Sequence, residues 1–144
     1  MAAQGEGRVR QLRLVASVPE GEDFEATLAF YRDVLGMPVQ ESYEAEGDAR
    51  VVILDAGRAT LELSNAAQVR FIDRVEAEGK PSAALRVALE VDDSVAATDE
   101  AVAGGAELVA EARETPWRSM NSRLNGPAGL QLTLFQELDG ADEA

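Results

Sequence analysis

Hydrophobic and polar residues alternate with period two in two stretches of the chain. Leu12, Leu14, Ala16 and Val18 interleave with Arg13, Val15 and Ser17, and Leu85, Val87, Leu89 and Val91 interleave with Arg86, Ala88 and Glu90. This is the pattern of half-buried strands. Helical spacing succeeds the first strand. After the Pro19–Glu22 turn, Asp23 is placed to cap a helix with Phe24, Leu28, Tyr31 and Leu35 on one stripe. Gly36 ends that helix as a left-handed cap, just ahead of Pro38. Phe30 and Tyr31 are read as core, since the helix must pack.

Strands are expected near 38–43, 50–55 and 58–64, divided by turns at Gly47-Asp48 and Ala56-Gly57. Asn65 caps a second helix carrying Val69, Ile72 and Val75, which stops at Gly79 before Pro81. Beyond the strand at 85–91, Asp93 or Ser94 caps a third helix running to Gly104-Gly105. Strands near 107–112, 117–124 and 129–136 complete the pattern. Residues 1–8 are expected to fray, and the acidic tail 137–144 to be loose.

The order strand, helix, strands occurs twice, which points to an internal duplication. Leu12-Arg13 returns as Leu85-Arg86 and Val18 as Val91, both 73 positions on; Leu61-Glu62-Leu63 returns as Leu132-Thr133-Leu134, 71 positions on. The fold class is therefore α+β in one domain: module one about 11–64, a linker helix about 65–80, and module two about 84–136.

Strand parity assigns two faces to the first and last strands of each module. One carries Leu12, Leu14, Ala16, Val18, Leu61, Leu63, Val87, Leu89, Val91, Leu130, Leu132 and Leu134, and the helices must cover it. Each Leu or Val among them contributes about 1.5–3 kcal/mol when buried. The other face mixes Arg13, Glu62, Arg86, Glu90, Gln131, Thr133 and Phe135 with Val15, Ala88 and small polar residues. Either water wets it, as on many antiparallel sheets, or the sheet curls and it lines a ligand cleft.

Charge and absences narrow the chemistry. With 27 acidic against 13 basic side chains the net charge is −14, which repels phosphate backbones and anionic membranes. Nucleic acid and membrane are not expected partners. The chain has no Cys and no His, which removes disulfides, thiolate metal sites, thiol nucleophiles and histidine-based triads. No apolar run approaches the length of a membrane span and the N-terminus shows no hydrophobic signal core, so a cytoplasmic location is expected.

Several segments resemble the vicinal oxygen chelate superfamily of glyoxalases, extradiol dioxygenases and bleomycin-resistance proteins. The strongest is Phe30-Tyr31-Arg32-Asp33-Val34-Leu35-Gly36-Met37-Pro38. Thr60-Leu61-Glu62-Leu63, Val91-Asp92-Asp93, Thr115-Pro116-Trp117 and Gly129-Leu130-Gln131-Leu132 come after it in the family's order. The resemblance implies paired βαβββ modules whose curled mixed sheet encloses a cavity with the helices outside, and it implies a homodimer. Catalytic members hold a divalent metal at four positions, which map here to Arg13, Glu62, Arg86 and Thr133. Only Glu62 matches. A guanidinium offers no lone pair, and at ~5 Å with an effective dielectric near 20 each would repel a divalent cation by about 6–7 kcal/mol.

No metal or other cofactor is therefore expected. The two arginines either clamp an anion or form a self-neutralising Arg–Glu–Arg network with Glu62 and Glu90. Trp117 is either a stacking platform or a partly buried strand aromatic or dimer contact; Asp92-Asp93 is read as a cap. The favoured expectation is a metal-free protein that sequesters a drug-like, cationic or aromatic small molecule, using Arg13, Glu62, Arg86, Thr133, Trp117, Gln131 and Phe135. The alternative is a metal-independent isomerase or lyase with Glu62 or Glu90 as base and Arg13 or Arg86 stabilising an oxyanion. Against it stands the low pKa expected of an ion-paired carboxylate.

Overall fold

The computed structural model describes residues 7–138. Eight strands form one mixed sheet: β1 (Val9–Ser17), β2 (Val39–Ala45), β3 (Ala49–Ala56), β4 (Ala59–Ser64), β5 (Leu85–Val91), β6 (Glu107–Glu114), β7 (Ser119–Asn125) and β8 (Gln131–Glu137). Three α-helices accompany them: α1 (Phe24–Ala29), α2 (Ala66–Ala77) and α3 (Ser94–Ala103). The strand order is β2-β3-β4-β1-β5-β8-β7-β6. Among the described residues no helix is long and apolar enough to cross a membrane.

The duplication is visible in the register. β1 runs parallel to β4 and β5 parallel to β8, while β1 and β5 join antiparallel at the centre. Across that seam Arg13 faces Ala88, Val15 faces Arg86 and Leu14 faces Val87. The 73-residue offset exchanges the first two pairs and maps Leu14 onto Val87, so the two halves are related about an axis through that last pair.

Each half has its own apolar cluster under its own helix. Leu28 of α1 packs with Val52, Leu54 and Leu63, and α3 covers Val91, Leu124 and Leu134. Leu12 and Leu130, expected beneath helices, are exposed. The clusters centre on the two halves, and cover does not extend to these positions near the strand ends.

The caps are as expected. Asp23, Asn65 and Asp93 accept from the backbone N–H groups of Ala26, Gln68 and Ala96. Asp92 instead pairs with Arg10. Gly36 takes the left-handed conformation at φ +73°.

The first helix departs from expectation. It is α-helical only to Ala29, and Phe30–Val34 form a π turn in which the Leu35 N–H donates to the carbonyl of Phe30 at 3.0 Å. Five-residue closure widens the turn and rotates the succeeding residues off the apolar stripe. Phe30 and Leu35 are consequently exposed rather than core, and Met37 joins Phe24 and Tyr31 against the cluster.

Strand limits shift by a few residues. β1 begins at Val9, and Glu137 belongs to β8 rather than to a loose tail. Trp117 lies on the turn before β7 and not within a strand. Residues 1–6 and 139–144, within the expected frayed ends, lie outside the described residues.

Helix α2 crosses the polar face. It touches β3 and β4 of one half and β6 and β7 of the other. β3 and β6 are six strand spacings apart in the sheet, about 29 Å if flat, whereas twelve helical residues span about 18 Å. The sheet curls to bring both within reach.

Candidate functional site

On the polar face the arginines divide into two clusters. In the first, Arg13 Nη1 meets Glu62 Oε1 at 3.3 Å and Nη2 lies 4.0 Å from Glu137. Its Nε donates to Gln11, whose amide in turn donates to Glu90 at 3.0 Å. The guanidinium sits over the Phe135 ring, 5.0 Å from its centroid, and Phe135 packs with Val15 and Ala88 as an apolar floor. Tyr43 donates to Glu41 at 2.8 Å, and this carboxylate pushes the phenol above its ordinary range. The Arg13 and Glu62 side chains keep 26% and 14% exposure, so this cluster is open to solvent on the Arg13 side and closes over Glu62.

Burial raises the pKa of Glu62 above its ordinary value, against the pull of Arg13 and, through space, of Arg86. The low value expected of an ion-paired carboxylate is thus reversed. Desolvation of the carboxylate outweighs its partner because the ion pair is long and single-pronged.

The second cluster is closed. Arg86 Nη1 donates to Thr133 Oγ1 at 2.8 Å and lies 3.8 Å from Glu76 of α2. Glu76 also accepts from Thr133 Oγ1 at 2.6 Å, from Asn121 at 2.9 Å and from Arg123 Nε at 2.9 Å. Arg123 Nη1 reaches Asp73 at 2.8 Å. Arg123 is 0% exposed and Glu76 1%. The expected Arg13–Glu62–Arg86 triad is therefore two pairs. Arg13 belongs to Glu62, and Arg86 is held by a carboxylate from the linker helix.

Gln131 is committed to structure, accepting from the Ala83 N–H at 2.7 Å and donating to Asn125. The Trp117 ring faces Phe71 of α2 at 6.2 Å. It stands beside Ser119, which pairs with Glu137, the same end of the sheet that Arg13 reaches. A depression of about 200 Å³ between Gln11, Thr60, Gln40 and Arg58 adjoins the open cluster. It is smaller than the ~300–1,000 Å³ pockets that enclose drug-sized ligands.

Glu41, Tyr43, Asp73, Glu76, Asn121 and Arg123 were not among the expected site residues. Strand parity was assigned only to the first and last strand of each module. Extended to β2 and β7, it places Glu41 and Tyr43, and Asn121 and Arg123, on the polar face. Asp73 and Glu76 share a stripe with Val69 and Ile72 at helical spacing, but acids on such a stripe carry no sign of whether water or arginine awaits them.

Residues 21–134 match the model of the Glyoxalase/Bleomycin resistance protein/Dioxygenase superfamily. The chain belongs to this superfamily. Among solved superfamily-like structures, methylmalonyl-CoA epimerase from Mycobacterium tuberculosis aligns with a TM-score of 0.66 at 18% identity, over 99% of this chain and 98% of that one. A hypothetical protein from Bacillus halodurans aligns at 0.62 and 12% identity, over 90% and 97%. A Streptomyces coelicolor methylmalonyl-CoA epimerase variant in complex with 2-nitronate-propionyl-CoA aligns at 0.56 and 19%, over 90% and 96%. At these identities the likeness is one of fold. No curated protein matches the chain.

The superfamily's metal positions can be tested against this donor set. Two of the four are arginine. Glu62 faces Arg13, and Thr133 faces Arg86 and Glu76. Among the described residues no three Asp or Glu side chains gather where they could hold an ion. One carboxylate and a hydroxyl between two guanidiniums do not fit a divalent metal.

Proposed function

We propose that this superfamily member is a metal-free small-molecule-binding protein of the glyoxalase/bleomycin-resistance type, with a cationic or aromatic ligand seated beside Arg13. The observation that carries the reading is the charge around the open cluster. Four carboxylates, Glu41, Glu62, Glu90 and Glu137, gather about Arg13, with Arg86 acting on Glu62 and Arg10 on Glu90 only through space. Such a surface attracts cations and offers the exposed Tyr43 ring for stacking, above the buried floor of Phe135. It repels the phosphates of a CoA thioester, so the activity of the epimerases is not carried over from their fold. Arg13 and Glu62 are the contact residues in this reading, and Phe135 supports Arg13 from beneath. Arg86, Thr133 and Gln131 build the wall, and Trp117 stands near the mouth. The reading includes a homodimer in the cytoplasm, and sedimentation at micromolar concentration checks the dimer.

The test is a thermal-shift and Trp117 fluorescence screen with cationic aromatic compounds. Saturable stabilisation that grows with ligand concentration is expected, weakened in Tyr43→Ala and lost in Glu62→Ala. A panel that moves neither the melting temperature nor the fluorescence overturns it.

One observation favours the enzymatic alternative. Glu62 is held above its ordinary pKa by burial, which brings it towards the range of a general base. With Arg13 or Arg86 steadying an oxyanion, it would act as a metal-independent isomerase or lyase base on a neutral or cationic carbonyl compound, and Glu90 is the other carboxylate in reach of Arg13 through Gln11. Solvent deuterium entering a bound carbonyl ligand in the wild type but not in Glu62→Gln would establish this; label entering neither, or both, rejects Glu62 as the base.

A further inference from the structure

The closed cluster holds more donors than its acceptors use. Glu76 receives three hydrogen bonds from β7 and β8, two of them from the neutral side chains of Asn121 and Thr133, with Arg86 3.8 Å away. Among the described residues Arg86 Nε and Arg123 Nη2 are buried with no acceptor. Buried guanidinium N–H groups are costly to leave unpaired, and a preformed array of charged and neutral donors around one carboxylate is how proteins recognise carboxylates. The carboxylate here belongs to α2, an element that is not part of the sheet supplying the donors. Immediately after it the chain takes two left-handed residues, Glu78 and Gly79, and has no regular structure until β5.

We propose that Arg86, Asn121, Arg123 and Thr133 form a second binding site, for a small monocarboxylate, and that Glu76 is its internal occupant. The site is separate from the open cluster of Arg13, and its ligand has the opposite charge. Its own carboxylate excludes an external one because a tethered group competes at a high effective concentration. Removing the Glu76 side chain to Cβ frees a carboxylate-sized space facing the donors.

The test compares wild type and Glu76→Ala in sodium acetate and in sodium chloride of equal ionic strength. Glu76→Ala melts lower than wild type in chloride. In acetate its melting temperature climbs with concentration, the folding equilibrium shifting about elevenfold at ten times the dissociation constant. Wild type gains no more from acetate than from chloride, and adding Arg123→Met to Glu76→Ala abolishes the response. The proposal is overturned if Glu76→Ala responds alike to both salts, if wild type responds to acetate as the variant does, or if the double variant retains the response. Should Glu76→Ala not fold in chloride, refolding is read in acetate instead. Recovery in acetate alone supports the site, and recovery in neither salt overturns it. These arms contain no cationic aromatic compound, so failure here and failure of the binding function are separable.

Discussion

Arg123 is fully excluded from solvent and answers to two carboxylates and a carbonyl, Glu76, Asp73 and that of Lys80. A charge so placed is stable only in company. Arg123→Met strips buried Asp73 of its ion pair and leaves Glu76 only the more distant charge of Arg86, an outcome that costs about 3–5 kcal/mol. Arg13→Met breaks a partly exposed pair and costs at most about 1 kcal/mol. Urea unfolding of the two variants side by side checks the contrast, and equal losses would show that the buried network does not hold α2. Glu62 gives a different residue-scale test. Its folded pKa lies above the ordinary 4.5, so between the two values the folded state binds more protons than the unfolded one and stability falls as pH rises. The contribution is complete below about pH 4.5 and lost as pH passes the folded value. Wild type should therefore lose stability relative to Glu62→Gln across that window, as read from denaturation midpoints at a series of pH values. A difference independent of pH would mean that Glu62 ionises as it does in water. The sequence identified Arg13, Glu62, Arg86 and Thr133 as sharing a face because parity along β1, β4, β5 and β8 is a local rule. It missed the partner of Arg86, because nothing local says which helix returns to that face.

Elements separate along the same line. Caps are written in one or two residues, and all three helix starts were legible: Asp93 accepts from the Ala96 N–H at 3.0 Å while its neighbour Asp92 is drawn to Arg10. Asp93→Ala should destabilise the protein by about 1 kcal/mol, and Asp92→Ala should leave the thermal midpoint where it is; the reverse result would assign the cap wrongly. The π turn after Ala29 was not legible. Tyr31 and Leu35 fit a helical stripe until Leu35 bonds to Phe30 rather than to Tyr31, and Tyr31 and Met37 then pack on the cluster of Leu28 in place of Leu35. Helix α2 was legible in extent but not in orientation. Val69, Ile72 and Val75 are only half-buried, whereas Gln68, Asp73, Glu76 and Ala77 are buried. A helix read as amphipathic by its apolar residues buries polar ones, because the face it meets is itself polar.

At the scale of the molecule, the charge of −14 acts on stability and on binding in opposite senses. Self-repulsion among the surplus carboxylates opposes the compact state. Raising salt from 0.01 M to 0.1 M shortens the screening length from about 30 Å to about 10 Å, which quiets repulsion across the molecule while leaving the buried pairs of Arg123 intact. The melting temperature should therefore rise with sodium chloride. A cationic ligand beside Arg13 depends on the same field for its attraction, so its affinity should fall over the same range, chiefly through a slower association rate. Measuring melting temperature and ligand affinity across one salt series tests both at once. Affinity that holds or strengthens with salt would indicate that the ligand is held by apolar contact with Tyr43 alone, and would remove charge from the basis of recognition. A melting temperature that falls with salt would mean that exposed pairs such as Arg8–Glu100 and Arg70–Glu20 outweigh the repulsion, because screening weakens those attractions by the same factor.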